Sequence, residues 1–152
     1  RASTTGTASY ANKTLPTDQQ DAFYSLRFKI VRKTTKNLYL IKQRSRAGAF
    51  ISGTYISGNG YLVFRNGVTA KSNTSKVFVT NGIWHELQLR VRTGASGAVE
   101  VWLDDARIDS LSRAESLGNA AVGSIAIGDS ATGNSFEVLF DDVSVATTFI
   151  DS

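Results

Sequence analysis

Between Trp84 and Leu103 the chain alternates with a period of two, and that period leaves it little choice of structure. His85, Leu87, Leu89 and Val91 are interleaved with Trp84, Glu86, Gln88, Arg90 and Arg92; beyond a Gly-rich turn, Val99, Val101 and Leu103 are interleaved with Glu100 and Trp102. Successive side chains of a strand point to opposite faces, so the pattern predicts an antiparallel hairpin with one apolar face and one face of tryptophan, amide and charge. Pairing Arg92 with Ala98 across the turn sets Arg90 opposite Glu100 and Gln88 opposite Trp102, all pointing away from the core. Indole packs on the apolar C–H face of a sugar ring, and amide, guanidinium and carboxylate groups suit its hydroxyls, so Trp84, Gln88, Arg90, Arg92, Glu100 and Trp102 form a candidate glycan surface. Two plainer readings stand beside it. Both tryptophans pack beneath neighbouring loops, or Trp84 precedes the strand and enters the core.

The same alternation extends along the chain. No window of eleven or more residues keeps a helical period, whereas short β-rich runs recur every eight to twelve residues, which predicts an all-β antiparallel sandwich with almost no helix. About eleven strands are expected. Thr5–Lys13 is a weak first strand, a Leu15–Asp18 turn leads into Phe23–Val31, and Asn37–Arg46 and Phe50–Ser57 precede a tight Gly58-Asn59-Gly60 hairpin into Tyr61–Asn66. Lys76–Val79, the Trp84–Leu103 hairpin, Arg107–Leu111, Gly123–Ile127 and Phe136–Ala146 complete the set, with Ser112–Ala121 as a returning loop. A chain of 152 residues, 41% of them hydrophobic, buries one core and not two, so residues 1–152 are read as a single domain. Without Cys there is no disulfide framework, and no apolar run approaches the roughly 18 residues of a membrane span. The start at Arg1 and the absence of Met suit a mature or excised segment.

Positive charge points to the nature of a partner. The net charge is +4, and Arg27/Lys29, Lys42/Arg44/Arg46 and Arg90/Arg92 are each spaced two apart, so each set shares a strand face. Were those strands in one sheet, all three sets, Arg44, Arg46, Arg90 and Arg92 among them, would form a basic stripe attractive to uronates or sulfates, with Arg forks suited to both. The bland alternative is a solvated surface. No recognition helix or aromatic RNA-binding pair is present, which argues against nucleic acid.

Acidic residues raise the question of a metal. Asp141 and Asp142 are consecutive in the last strand, so one of them points inward unless a bulge intervenes. A buried carboxylate needs a partner, and a structural Ca2+ held by Asp142 and Asp21 would supply one. Hydrogen bonding of Asp142 to amides or arginine is the rival. Catalysis has little support: the single histidine, His85, falls on the apolar side of its strand, and the four glutamates form no closely spaced acidic run.

The residues Gly82-Ile83-Trp84-His85, Val101-Trp102-Leu103-Asp104-Asp105, Ile125-Ala126-Ile127-Gly128-Asp129 and Phe140-Asp141-Asp142-Val143-Ser144-Val145 occur in this order. Together they resemble the laminin-G-like, concanavalin A-like jelly-roll superfamily over about the second half of the chain. Asp105 departs from that pattern, where the hairpin turn usually carries Gly; a longer turn or a strained backbone is expected there. The resemblance implies two antiparallel sheets, a ligand on a concave face or at the loop rim, and a calcium between terminal strands. Bacterial members are commonly carbohydrate-binding or adhesion domains of larger secreted proteins. The expectation is thus a non-catalytic, extracellular carbohydrate-binding module, monomeric and tethered to other domains, that recognises a polysaccharide, with an acidic one favoured. A protein-binding adhesion domain and a small polysaccharide lyase are the alternatives.

Overall fold

A computed structural model describes residues 1–151. Its strands are β1 (Ala2–Thr5), β2 (Ser9–Gln19), β3 (Asp21–Lys33), β4 (Leu38–Arg44), β5 (Phe50–Ile56), β6 (Tyr61–Asn66), β7 (Lys71–Phe78), β8 (Trp84–Arg92), β9 (Ala98–Leu103), β10 (Ala106–Arg107), β11 (Arg113–Ala114), β12 (Val122–Asp129) and β13 (Ser135–Ala146), with one 3-10 turn at Asp109–Leu111. They form two antiparallel sheets. The first runs β1-β13-β3-β8-β9-β10 with β11 also on β9, and the second runs β2-β12-β4-β5-β6-β7. Strands β4 to β7 stay in the second sheet and β8 to β11 in the first, while β1, β2 and β3, and again β12 and β13, alternate between the sheets, so the chain's two ends cross the sandwich and the apolar faces are closed against each other.

The core follows the alternation. Leu26, Phe28, Leu87, Leu89, Val91 and Val101 are buried, while Phe140, expected among them, is only partly buried at the edge of the cluster. The hairpin register is the expected one: Arg92 opposite Ala98, Arg90 opposite Glu100, Gln88 opposite Trp102. His85 is a buried, hydrogen-bonded core residue, with Nδ1 2.7 Å from Asp104 and Nε2 3.0 Å from the Thr80 carbonyl.

Some segments differ from the sequence reading, and the first strand expected over Thr5–Lys13 is divided between β1 and β2. The turn expected at Leu15–Asp18 is continuous strand, because β2 is an edge strand of the second sheet and Pro16 there needs no ladder partner for its missing N–H. Arg107–Leu111 is mostly the 3-10 turn, and the loop beyond it contributes the short β11. Of the two expectations for Asp105, the strained backbone is present and the longer turn is not: Asp104 and Asp105 make a two-residue turn with φ of 52° and 64°, the all-positive geometry that twisted hairpins favour. Asp104 tolerates this conformation because its carboxylate accepts the Glu86 N–H at 2.8 Å as well as His85.

The consecutive aspartates are resolved by a bulge. Asp141 pairs with Arg27 and Ser144 with Ser25, so two residues of β13 face one of β3. Asp142 takes φ 48° at this point, and both carboxylates remain exposed. The bulge shifts the strand's phase, so that Val145, not an aspartate, packs against the core, while Val143 is exposed.

Candidate functional site

The tryptophan-bearing face of the first sheet is occupied by the chain itself. Phe149, beyond β13, lays its ring 5.3 Å from Trp102 and 5.9 Å from Phe23. Gln88 is buried beneath this segment, its amide donating to the Ile150 carbonyl at 3.0 Å and accepting the Ile150 N–H at 2.9 Å. Arg90 is gripped by Asp21 at 2.9 and 2.8 Å and by Glu100 at 3.3 Å. Trp102 is therefore a packing residue beneath a neighbouring segment, the plainer of its two readings. Trp84 is 40% exposed and carries the Arg27 guanidinium 5.3 Å from its ring. It pairs with Lys29, four positions along β8 from Gln88, about 13 Å from the Trp102 row, so the two indoles make no common platform.

The basic sets are likewise separated. Arg27, Lys29, Arg90 and Arg92 belong to the first sheet, whereas Lys42 and Arg44 belong to the second. Arg46 lies just past β4, where it donates to Asp18 at 2.7 Å and to the Leu15 carbonyl at 2.9 Å, fastening that end of β4 to β2. Asp21 and Asp142 do not converge on a cation either. The first is held by Arg90, which keeps its carboxyl below the usual carboxylate range; the second lies in the β13 bulge near Arg27, at 3.5 Å. Among the described residues no group of three or more His, Asp or Glu is arranged to hold a metal.

The outer face of the second sheet has a different character. A trough of about 410 Å3 runs along β12, with Ser124, Ala126 and Gly128 as its floor. These residues alternate with the inward Ile125 and Ile127, so small side chains outward and large ones inward carve the trough directly. Gly128 has φ 90°, and a Cβ there would stand 2.5 Å from the Ser9 carbonyl oxygen, so nothing larger fits. One wall is Tyr10, Asn12 and Thr14 of β2, offering hydroxyl and amide groups and a tyrosine ring that is 48% exposed. The other wall is cationic: Lys42 and Arg44 of β4.

The cationic wall is held in shape from behind. Lys42 Nζ lies 4.1 Å from the Tyr39 ring centroid and donates to Ser130 Oγ at 3.2 Å, while Arg44 lies 5.8 Å from the Phe50 ring and donates to the Gly48 carbonyl at 3.3 Å. Tyr39 packs at 5.0 Å against Tyr55 and at 6.3 Å against Phe50. This cluster closes over Gly53, where a Cβ would come within 2.7 Å of the Tyr39 ring. Buried Asp129 accepts the Tyr39 and Ala131 N–H groups, tying the end of the trough to β4. Burial lowers the pKa of the Lys42 ammonium, and burial followed by the neighbouring Tyr55 raises that of the Tyr39 phenol.

Of the residues anticipated for binding, Lys42 and Arg44 of the basic set line the trough. The rest of the trough was hidden for a topological reason: β12 sits between β2 and β4, Ser124 pairing with both Thr14 and Arg44, and no local pattern announces a pairing between strands so far apart in sequence. The available signal was the small-residue alternation Ser124, Ala126, Gly128 beside the Lys42/Arg44 pair.

No protein-family model and no curated protein matches the chain. Solved structures do. A fungal endo-β-1,4-glucuronan lyase from Trichoderma reesei is similar with a TM-score of 0.69 at 17% identity, over 93% of this chain and 75% of its own. The cellulose-induced protein Cip1 gives 0.76 at 13% identity, over 95% and 75%. A tetrameric galectin from the ball sponge Cinachyrella gives 0.62 at 11%, over 90% and 99%. The fold is a jelly-roll β-sandwich. At these identities the likeness is one of architecture, and the function rests on the site.

Proposed function

We propose that the protein is a non-catalytic carbohydrate-binding module whose trough along β12 holds an acidic polysaccharide. The observation that carries this reading is the pairing of a small-residue floor with one hydroxyl-and-amide wall and one wall of Lys42 and Arg44. A sugar ring lies against the flat floor and the exposed Tyr10 ring, its hydroxyls meet Asn12 and Thr14, and its carboxylate meets the cations. The trough is open, which suits internal segments of a polymer. Support also comes from the glucuronan lyase and galectin among the structures sharing this fold.

Calorimetric titration with a polyuronate and with an uncharged glucan, each at low and moderate salt, tests the reading. Binding of the polyuronate that weakens with salt is expected. Equal, salt-insensitive binding of the uncharged glucan would overturn the anionic assignment. Ultraviolet absorbance followed in the same mixtures separates binding from lyase chemistry, since elimination leaves an unsaturated uronate; no such absorbance is expected.

A further inference from the structure

Four loops meet at one pole of the sandwich: residues 34–37 between β3 and β4, 57–60 between β5 and β6, 79–83 between β7 and β8, and 130–134 between β12 and β13. Polar groups fasten them to one another. Thr34 Oγ1 donates to Asn134 at 3.0 Å and the Asn134 amide to the Asn37 carbonyl at 2.9 Å, while the Gly58 N–H donates to Asn37 Oδ1 at 3.1 Å. The Val79 N–H reaches the Gly60 carbonyl and the Gly82 N–H the Ile30 carbonyl, each at 2.8 Å. This fixed backbone holds large apolar side chains out in solvent. Of the nine large hydrophobics exposed among the described residues, five belong to these loops and the strand ends beside them: Val31, Tyr61, Phe78, Ile83 and Trp84, with Phe78 58% and Ile83 54% exposed. Tyr61 and Phe78 stand edge to face at 5.9 Å, and the Phe78 ring covers Gly60, where a Cβ would come within 2.4 Å of it.

Charge at this pole has one sign. Residues 31–37, 57–61, 78–84 and 130–134 contain Arg32, Lys33 and Lys36 and no Asp or Glu. Among the described residues these cations have no carboxylate partner: Arg32 donates to Ser135 Oγ, Lys36 to the Gly133 carbonyl, and Lys33 to the Thr34 and Gly58 carbonyls. Lys29 adds a fourth positive charge opposite Trp84. Acids stand behind the pole. Asp129 is buried with its carboxylate on the Tyr39 and Ala131 N–H groups, Glu137 is held by Arg1, and Glu86 follows Trp84 along β8.

We propose that this pole docks on an anionic lipid surface, with Phe78, Ile83 and Trp84 entering the interfacial layer and Arg32, Lys33 and Lys36 meeting the lipid phosphates. A lipid surface accepts apolar tips from separate loops without a matching shape. Indole and phenol suit its boundary, being apolar in body with one polar atom, and lysine and arginine lay their stems along apolar surface while the charge stays in water. The unpaired cations select anionic lipid, since such a surface attracts basic residues within a Debye length of it. The inference is independent of the glycan trough, which opens along β12 on the outer face of the second sheet.

Flotation with vesicles of phosphatidylcholine, alone or mixed with phosphatidylglycerol, at low and moderate salt tests the proposal, with Trp84 emission read in a Trp102→Phe background. Binding to the anionic vesicles that weakens with salt is expected, together with a blue shift of Trp84. Phe78→Ser/Ile83→Ser, both at exposed positions, should lower the partition constant roughly tenfold or more and leave polyuronate affinity unchanged. Arg32→Gln/Lys36→Gln should bring binding to the anionic vesicles down to that of phosphatidylcholine alone. No flotation with the anionic vesicles would overturn the proposal, as would binding that both variants retain or a Trp84 emission that does not move. Loss of polyuronate affinity in Phe78→Ser/Ile83→Ser would overturn it too, by giving the pole to the glycan.

Discussion

Single residues explain both why one face is closed and why the other is open. Asp21 and Arg90 spend their charges on each other. Because the hydrogen bond from Arg90 lowers the Asp21 pKa, this pair stabilises the fold at pH values above the ordinary carboxylate range and loses that contribution as pH falls through the lowered value. Asp21→Asn should therefore lower the melting temperature at neutral pH and lower it less in acid; an equal effect at both would contradict the pairing. Lys42 behaves oppositely. Burial disfavours its charged form, so its ammonium is lost at lower pH than that of a free lysine. Polyuronate binding should accordingly weaken with rising pH before ordinary lysines titrate, with protons taken up on binding in that window. Lys42→Arg, which stays charged to beyond pH 12, should flatten the pH profile measured by calorimetry in buffers of different ionisation heat.

At the scale of elements, the bulge in β13 and the outward small residues of β12 decide the layout. The bulge keeps the apolar phase of β13 by placing Asp142 at φ 48°, a conformation that costs most residues about 1 kcal/mol. Asp142→Gly should raise stability by up to about 1 kcal/mol in chemical denaturation; a loss, or a melting temperature that chelators lower in the wild type only, would restore the calcium ligand. Leu89, fully buried where β8 meets the core, should cost roughly 2–5 kcal/mol when cut to alanine. Much of this was legible in the sequence. The Trp84–Leu103 alternation specified its own register, because a slip of one residue would have turned Leu87, Leu89 and Val91 to solvent. The trough was not legible. Ser124, Ala126 and Gly128 become a floor only once β2 and β4 flank them, and that adjacency comes from closing the whole sandwich. The tryptophan face misled for a related reason: nothing in the hairpin's own pattern shows that Phe149 and Ile150 return across it.

For the whole molecule, the two sheets divide the work. The first sheet lays the C-terminal segment over Trp102 and keeps Arg90 paired with Asp21 and Glu100. The second presents an open trough with two cations aligned along one wall. The most direct measurement sets these faces against each other: calorimetric affinity for one polyuronate of the wild type, Lys42→Gln/Arg44→Gln and Trp102→Ala, each verified as folded by near-UV circular dichroism. Charge-assisted hydrogen bonds contribute about 1.5–3 kcal/mol each, so the double variant should lose roughly a hundredfold or more in affinity while Trp102→Ala binds as the wild type does. Full affinity in the double variant, with binding lost in Trp102→Ala, would place the glycan on the first sheet and contradict the trough.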